Sequence, residues 1–220
     1  MNVLGFDTST AATSVCLLRD DGNAFELIPD EEALLGPPGH ARELMPGIAR
    51  VLSDGGLSYA EIDALAVGVG PGTFTGLRIG VTSARALAHA EDIPVHPVSS
   101  LAALAQGIDA QNRLPLIDAK RGELFAALYR GDEEVWPPFS ASPAEVIERL
   151  REASVSAMAA GDGSLRFRDE LEAGGIQVEP AGCHAVRGLH ICRLATRVPA
   201  VPPEAVLPNY LREPDAKPQR

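Results

Sequence analysis

The sequence predicts an α/β protein of nucleotide-binding ancestry, and three adjoining features predict it. Residues 64–69 are a continuous apolar run, as expected of a strand covered on both faces. Gly70-Pro71-Gly72-Thr73-Phe74-Thr75-Gly76 is a glycine-rich loop, and residues 77–90 are a helix. A loop that leads from a strand into a helix N-terminus presents free N–H groups, an arrangement suited to an anion.

The other elements follow from pattern and punctuation. Residues 3–6 are a short apolar strand ending in Asp7-Thr8-Ser9-Thr10, residues 13–18 are a second strand, and Asp20-Asp21-Gly22 is a hairpin turn before a third at 24–28. Residues 29–39 read as loop. Ala41, Leu44, Met45, Ile48, Val51 and Leu52 form one stripe of an amphipathic helix over 40–52, with Pro46 and Gly47 predicting a kink or a late start. Ser58 and Glu61 make a capping box for one further turn. A strand at 95–98 and a short helix at 100–106 complete a first lobe. A second, looser set begins with strands at 114–118 and 124–129. Ser142-Pro143-Ala144-Glu145 then starts a helix running to about 151. A strand at 155–160, a helix at 165–173, a short strand at 176–178 and a helix at 185–196 follow, before a proline-rich extended tail. The recurring order predicts two related lobes, residues 1–103 and 104–220.

Composition narrows the function. Thirty acidic against nineteen basic side chains leave a formal charge of −11, which repels a phosphate backbone, so any service to RNA requires a basic partner to do the gripping. The N-terminus lacks the basic, apolar and small-residue sections of a signal peptide, and no run approaches the ~20 apolar residues of a membrane helix. Three cysteines in no framework spacing suit a reducing cytoplasm.

The chemistry carriers are few. The loop lacks G-x-x-x-x-G-K-[ST] and misses the dinucleotide G-x-G-x-x-G by one residue, so a phosphate cradle at Gly70, Gly72 and Thr73 competes with a plain tight turn. Asp7, Thr8 and Ser9 present a carboxylate and hydroxyls to a metal-bound water or phosphate, or else close the hairpin as an Asx turn. Cys183, His184, His190 and Cys192 hint at a metal cluster. On a helix, however, His190 and Cys192 diverge by about 200°, and no H-x-x-x-H is present, so no metal site is expected. Ser99-Ser100 has no nearby histidine base, and no G-x-S-x-G nucleophile elbow occurs. In the helix after the loop, Gly76, Gly80, Ala84 and Ala88 recur every fourth place beside Leu77, Ile79, Val81, Ala86 and Leu87. A helix apolar nearly all round requires a second covering surface besides its sheet.

Three stretches in order, Leu4-Gly5-Phe6-Asp7-Thr8-Ser9-Thr10, Val67 through Gly80 with its G-P-G-T-F-T-G-L-R-I-G, and Ile117-Asp118-Ala119-Lys120-Arg121-Gly122-Glu123, resemble the TsaB (YeaZ) family; Pro208-Asn209-Tyr210-Leu211-Arg212 matches its closing P-x-Y-L-R. The resemblance implies an actin/Hsp70-type ATPase fold, ribonuclease H-like, with two lobes each built on a mixed sheet flanked by helices. It implies a cytoplasmic, non-catalytic partner of its paralogue TsaD, working with the ATPase TsaE to form threonylcarbamoyladenosine beside the anticodon of tRNAs that read codons starting with A. The chain would form a heterodimer with TsaD and a homodimer when alone, touch tRNA only through the complex, meet no membrane and require no cofactor, with room for weak nucleotide binding at Asp7, Thr8, Ser9, Gly70, Gly72 and Thr73. First-lobe helices would make the partner contact, here through Leu44, Ile48, Gly76, Leu77, Gly80, Val81, Ala84, Leu87 and Ala88. TsaD-like chains carry an H-x-x-x-H pair after the equivalent helix, where this chain reads Val98-Ser99-Ser100-Leu101-Ala102-Ala103. Lys120 and Arg121 stand where close phosphate approach favours glycine. An ATP-dependent kinase-like enzyme or a peptidase of the same superfamily is the competing reading.

Overall fold

In the computed structural model, residues 1–180 and 182–212 are described, so the last eight residues of the predicted tail lie outside the described set. The chain opens with β1 (Val3–Asp7), β2 (Ser14–Leu18) and β3 (Ala24–Leu27), an antiparallel meander. The stretch read as loop after it holds a short helix, α1 (Glu31–Leu35), capped by Asp30, whose carboxylate accepts the Ala33 N–H at 2.8 Å. The helix α2 (His40–Gly55) starts at His40 and continues across Pro46. Gly56 ends it in a left-handed conformation that glycine adopts without strain. β4 (Ala64–Gly68), α3 (Phe74–Glu91), β5 (Val95–Val98) and α4 (Ser100–Ala105) follow; α3 begins three residues before the expected start, at Phe74.

The second half repeats the plan. β6 (Asn112–Lys120), β7 (Glu123–Arg130) and β8 (Glu133–Ala141) are antiparallel neighbours. β8 is absent from the sequence reading because Pro137 and Pro138 interrupt it. It tolerates them as an edge strand whose register with β7 shifts between Ala126 and Leu128. α5 (Pro143–Glu152) has the expected Ser142–Glu145 capping box. β9 is confined to Met158–Ala160, and the helix expected at 165–173 divides at Phe167 into α6 (Asp162–Arg166) and α7 (Arg168–Ala173). β10 (Gln177–Val178) and α8 (Gly188–Ala195) complete the elements.

The two sheets have the same topology. The first runs β3-β2-β1-β4-β5 and the second β8-β7-β6-β9-β10; in each, three antiparallel strands continue into two parallel ones. α4 and α8 lie between them: α4 packs on β6 and α8, and α8 on β1 and β2. A large apolar cluster therefore joins both halves, with Val3, Cys16 and Ala66 from the first sheet, Leu101, Leu104 and Ile191 from the helices, and Ile117, Phe125 and Ala127 from the second sheet. α8 approaches closely because two glycines face the contact. A Cβ at Gly5 would stand 2.5 Å from Cys192 Sγ, and one at Gly188 would stand 2.7 Å from the Cys16 nitrogen. Among the described residues no helix is long and apolar enough to cross a membrane.

Glu26 ties α8 to the open edge of the first sheet. Its buried carboxylate accepts Arg187 Nε at 3.2 Å and the Leu189 N–H at 3.0 Å. Removing one member of a buried charge pair strands the other. Glu26→Ala should lower stability by roughly 2–3 kcal/mol in urea titration.

Candidate functional site

The strand ends that carry the first two quoted motifs meet around Asp7, the last residue of β1 and only 1 % exposed. Its Oδ1 accepts the Ser9 N–H at 2.8 Å and the Ser9 hydroxyl at 2.6 Å, and its Oδ2 accepts the Ser100 hydroxyl at 2.6 Å. Burial raises the carboxyl's proton affinity, opposed chiefly by the bonds from Ser100 and Ser9. Ser100 extends the network to the glycine loop: its N–H donates to the Gly70 carbonyl at 2.9 Å, and its Oγ accepts the Gly70 N–H at 3.2 Å. Thr8 donates its hydroxyl to the Gly76 carbonyl at 2.8 Å, and the Thr73 N–H donates to the Ser9 carbonyl at 2.7 Å. Sequence reasoning missed Ser100 because it weighed that serine only as a nucleophile.

The glycines of the loop answer to this packing. A Cβ at Gly68 would fall 1.8 Å from Asp7 Oδ2, one at Gly72 2.3 Å from the Ser9 carbonyl oxygen, one at Gly76 2.0 Å from that of Thr8, and one at Gly80 2.4 Å from Thr8 Oγ1. The chain's own Asp7-Thr8-Ser9 thus fills the hollow that the glycines make. Asp7, Thr8, Ser9 and Gly70 are buried, and only Gly72 and Thr73 of the expected phosphate loop remain partly accessible.

Across the cleft, the second-half loop meets a different solution. Lys120, Arg121 and Gly122 take positive φ values of 64°, 58° and 82°. Lys120 Nζ lies 2.9 Å from Oδ2 of the buried Asp118, with Arg166 Nε at 3.5 Å. The lysine is thereby engaged by a carboxylate of its own loop. Asp162, also buried, accepts the Asp118 N–H at 3.1 Å, and its carboxyl is pushed up to about 6, first by burial and further by the charge on Asp118. Between the loops lies a small cavity of about 160 Å³ lined by Gly72, Thr73, Asp118, Lys120, Tyr210 and Arg212.

The expected partner residues face inward. Leu44, Ile48, Gly76, Leu77, Gly80, Val81, Ala84 and Ala88 are buried within the chain, and Leu87 is half-buried. Gly76 and Gly80 let α3 approach Thr8 and β4, Ala84 and Ala88 lie in the core below it, and the stripe is not an open partner surface. Outward on α2 are Ala41, Met45, Pro46 and Ala49; outward on α3 are Thr75, Thr82, Arg85 and Ala86, with Ile79 half-buried.

The Cys/His candidates separate. His190 faces the Ala103 carbonyl at 3.1 Å, and Cys192 Sγ is 3.5 Å from the Cys16 carbonyl. His184 Nδ1 accepts the Gly161 N–H at 3.1 Å and lies 3.2 Å from the Ser164 hydroxyl, while Nε2 meets the Glu179 carbonyl at 3.0 Å. This serine–histidine contact is fully buried and its hydroxyl donates to the Gly161 carbonyl, so no substrate reaches it. Among the described residues no group of three His, Cys, Asp or Glu side chains could hold a metal ion.

Gly76→Ala should be strongly destabilising, by roughly 2–4 kcal/mol in chemical denaturation, because the obstacle is the Thr8 backbone rather than a movable side chain. Asp162 is predicted to make stability pH-dependent. Its folded value lies above the unfolded one, so the protonated form favours folding at low pH and that contribution is lost as pH rises through about 6. Asp162→Asn keeps the acceptor for the Asp118 N–H, and should raise stability at pH 8 by up to about 3 kcal/mol while leaving it little changed at pH 4, measured by urea titration at both values.

Residues 37–163, more than half of the chain, match the family model described as TsaD: tRNA N6-adenosine threonylcarbamoyltransferase. The tRNA threonylcarbamoyladenosine biosynthesis protein TsaB of Escherichia coli (strain K12) is 37 % identical over 180 residues, covering 77 % of this chain and 74 % of that protein. An uncharacterized protein of Mycobacterium leprae (strain TN) is 35 % identical over 219 residues, 98 % of this chain but 56 % of its relative, so the chain spans little more than half of that protein's length. A crystal structure from Pseudomonas aeruginosa, of an uncharacterized protein with similarity to peptidase YEAZ, superposes with a TM-score of 0.80 at 30 % identity over 96 % of this chain and 99 % of that one.

Proposed function

Because the chain belongs to the TsaB (YeaZ) family and has its ribonuclease H-like, actin-type ATPase fold, we propose that it serves tRNA threonylcarbamoyladenosine biosynthesis as a non-catalytic partner of TsaD, acting together with TsaE. The observation that carries this reading is the fate of the two loops facing the cleft. Asp7, Thr8 and Ser9 are saturated by their own chain, and Lys120 is held by Asp118. Neither loop presents a free catalytic group, and the segment after α3 has no paired histidines. The charge of −11 supports a contact with tRNA made by the partners. A cytoplasmic setting and a function without a bound cofactor belong to the same reading.

The partner surface we propose is the outer face of α2 and α3, in place of the buried residues expected from sequence. In α2, Arg42 and Arg50 cancel Glu43 and Asp54; in α3, Arg78 and Arg85 against Glu91 leave one positive charge. In so acidic a chain, a near-neutral face with exposed Ala41, Met45, Ala49 and Ala86 suits a protein contact, where charged residues are depleted at the core. The same face would pair two copies when TsaD is absent.

Met45→Arg and Ala86→Arg should each weaken binding to TsaD at least tenfold in titration calorimetry with the melting temperature unchanged. Reconstitution with TsaD, TsaE and threonylcarbamoyl-adenylate should form the modified nucleoside only when this chain is added. Steady ATP turnover by the purified chain alone, abolished in Asp7→Ala, would instead establish the kinase-like enzyme.

A further inference from the structure

After Val201 bridges to Val95 and Val206 buries itself in the first core, residues 208–212 cross the mouth of the cleft. The Asn209 N–H donates to the Val69 carbonyl at 2.7 Å, at the start of the glycine loop. Tyr210 stacks on Phe74 with centroids 4.9 Å apart. The Arg78 guanidinium lies 3.7 Å above that phenyl ring from its own side chain and donates Nε–H to the tyrosine oxygen at 3.2 Å. Leu211 packs on the cluster shared by both sheets. Arg212 reaches the second sheet, donating to Glu123 Oε2 at 3.0 Å and to the Ala119 carbonyl at 2.9 Å.

Asn209, Tyr210 and Arg212 thus grip both loops that the sequence marks as phosphate-facing, and Tyr210, Leu211 and Arg212 line the cavity between the loops. That cavity, about 160 Å³, is well below the roughly 300 Å³ at which small-molecule pockets begin. At the base of the cleft the halves are joined by a continuous core, and residues 209–212 add a link from the glycine loop to the second sheet.

We propose that residues 208–212 are a strap that spans the cleft in cis, holding the glycine loop and the β6–β7 loop in register, so that a ligand entering the cavity lined by Tyr210, Leu211 and Arg212 must first displace it. The inference stands on contacts within the chain and is independent of the partner assignment above.

The test is hydrogen exchange by mass spectrometry on the full chain. In the double variant Tyr210→Ala, Arg212→Ala, peptides covering 69–76 and 118–123 should exchange at least tenfold faster, with α5 unchanged. Tyr210→Phe keeps the ring stack and should match the wild type. If the double variant loses protection everywhere, Arg212→Lys is decisive, because a single amine cannot serve both Glu123 and the Ala119 carbonyl; it should accelerate 118–123 alone. Unchanged exchange in both loops of a folded double variant, or at 118–123 in Arg212→Lys, would overturn the strap.

Discussion

The buried carboxylate of Asp7 is the constraint around which the first half is arranged. A charge removed from water must be met by donors, and here Ser9 and Ser100 supply them from the two sides of the β1–β4–β5 crest. Satisfying it draws the β1–β2 turn inward until glycine alone is accommodated at positions 68, 72, 76 and 80. The position of α3 follows, because its first two turns lie directly on Thr8. The glycine loop is therefore a consequence of chain-on-chain packing at the very place where an open loop would receive an anion.

The repeated sheet order makes the two halves comparable, and their loops differ instructively. In the first, polar groups are neutralised by hydrogen bonds within a closed hollow. In the second, the buried carboxylate of Asp118 is met by Lys120 from a left-handed turn and by Arg166 from α6. Both arrangements spend their polar groups on themselves. This fits the non-catalytic role proposed above, which places the partner contact on the outer face of α2 and α3 rather than in the cleft.

Much of this was legible in the sequence. The strand–loop–helix at 64–90, the capping boxes at Ser58 and Ser142 and the two-fold recurrence of elements are local patterns, and the ordered motifs pointed to the family. The two prolines of β8 hid a strand because their effect depends on whether a neighbour needs their missing N–H, which an edge position does not. The direction of the small-residue stripe was also misjudged. Its spacing says that something approaches α3 closely, and that something is Thr8 and the sheet rather than a partner.

The sequence by itself determined most of the elements and their order, since periodicity, caps and turn residues act over a few positions. The tertiary structure alone decided what fills each hollow. Thr8 meets Gly76 across 68 positions, and Tyr210 meets Arg78 across 132. Contacts at such separations are selected by the packing of whole sheets against helices, so the occupancy of the glycine loop, the face α3 leaves exposed and the docking of the tail appear only when the chain is folded.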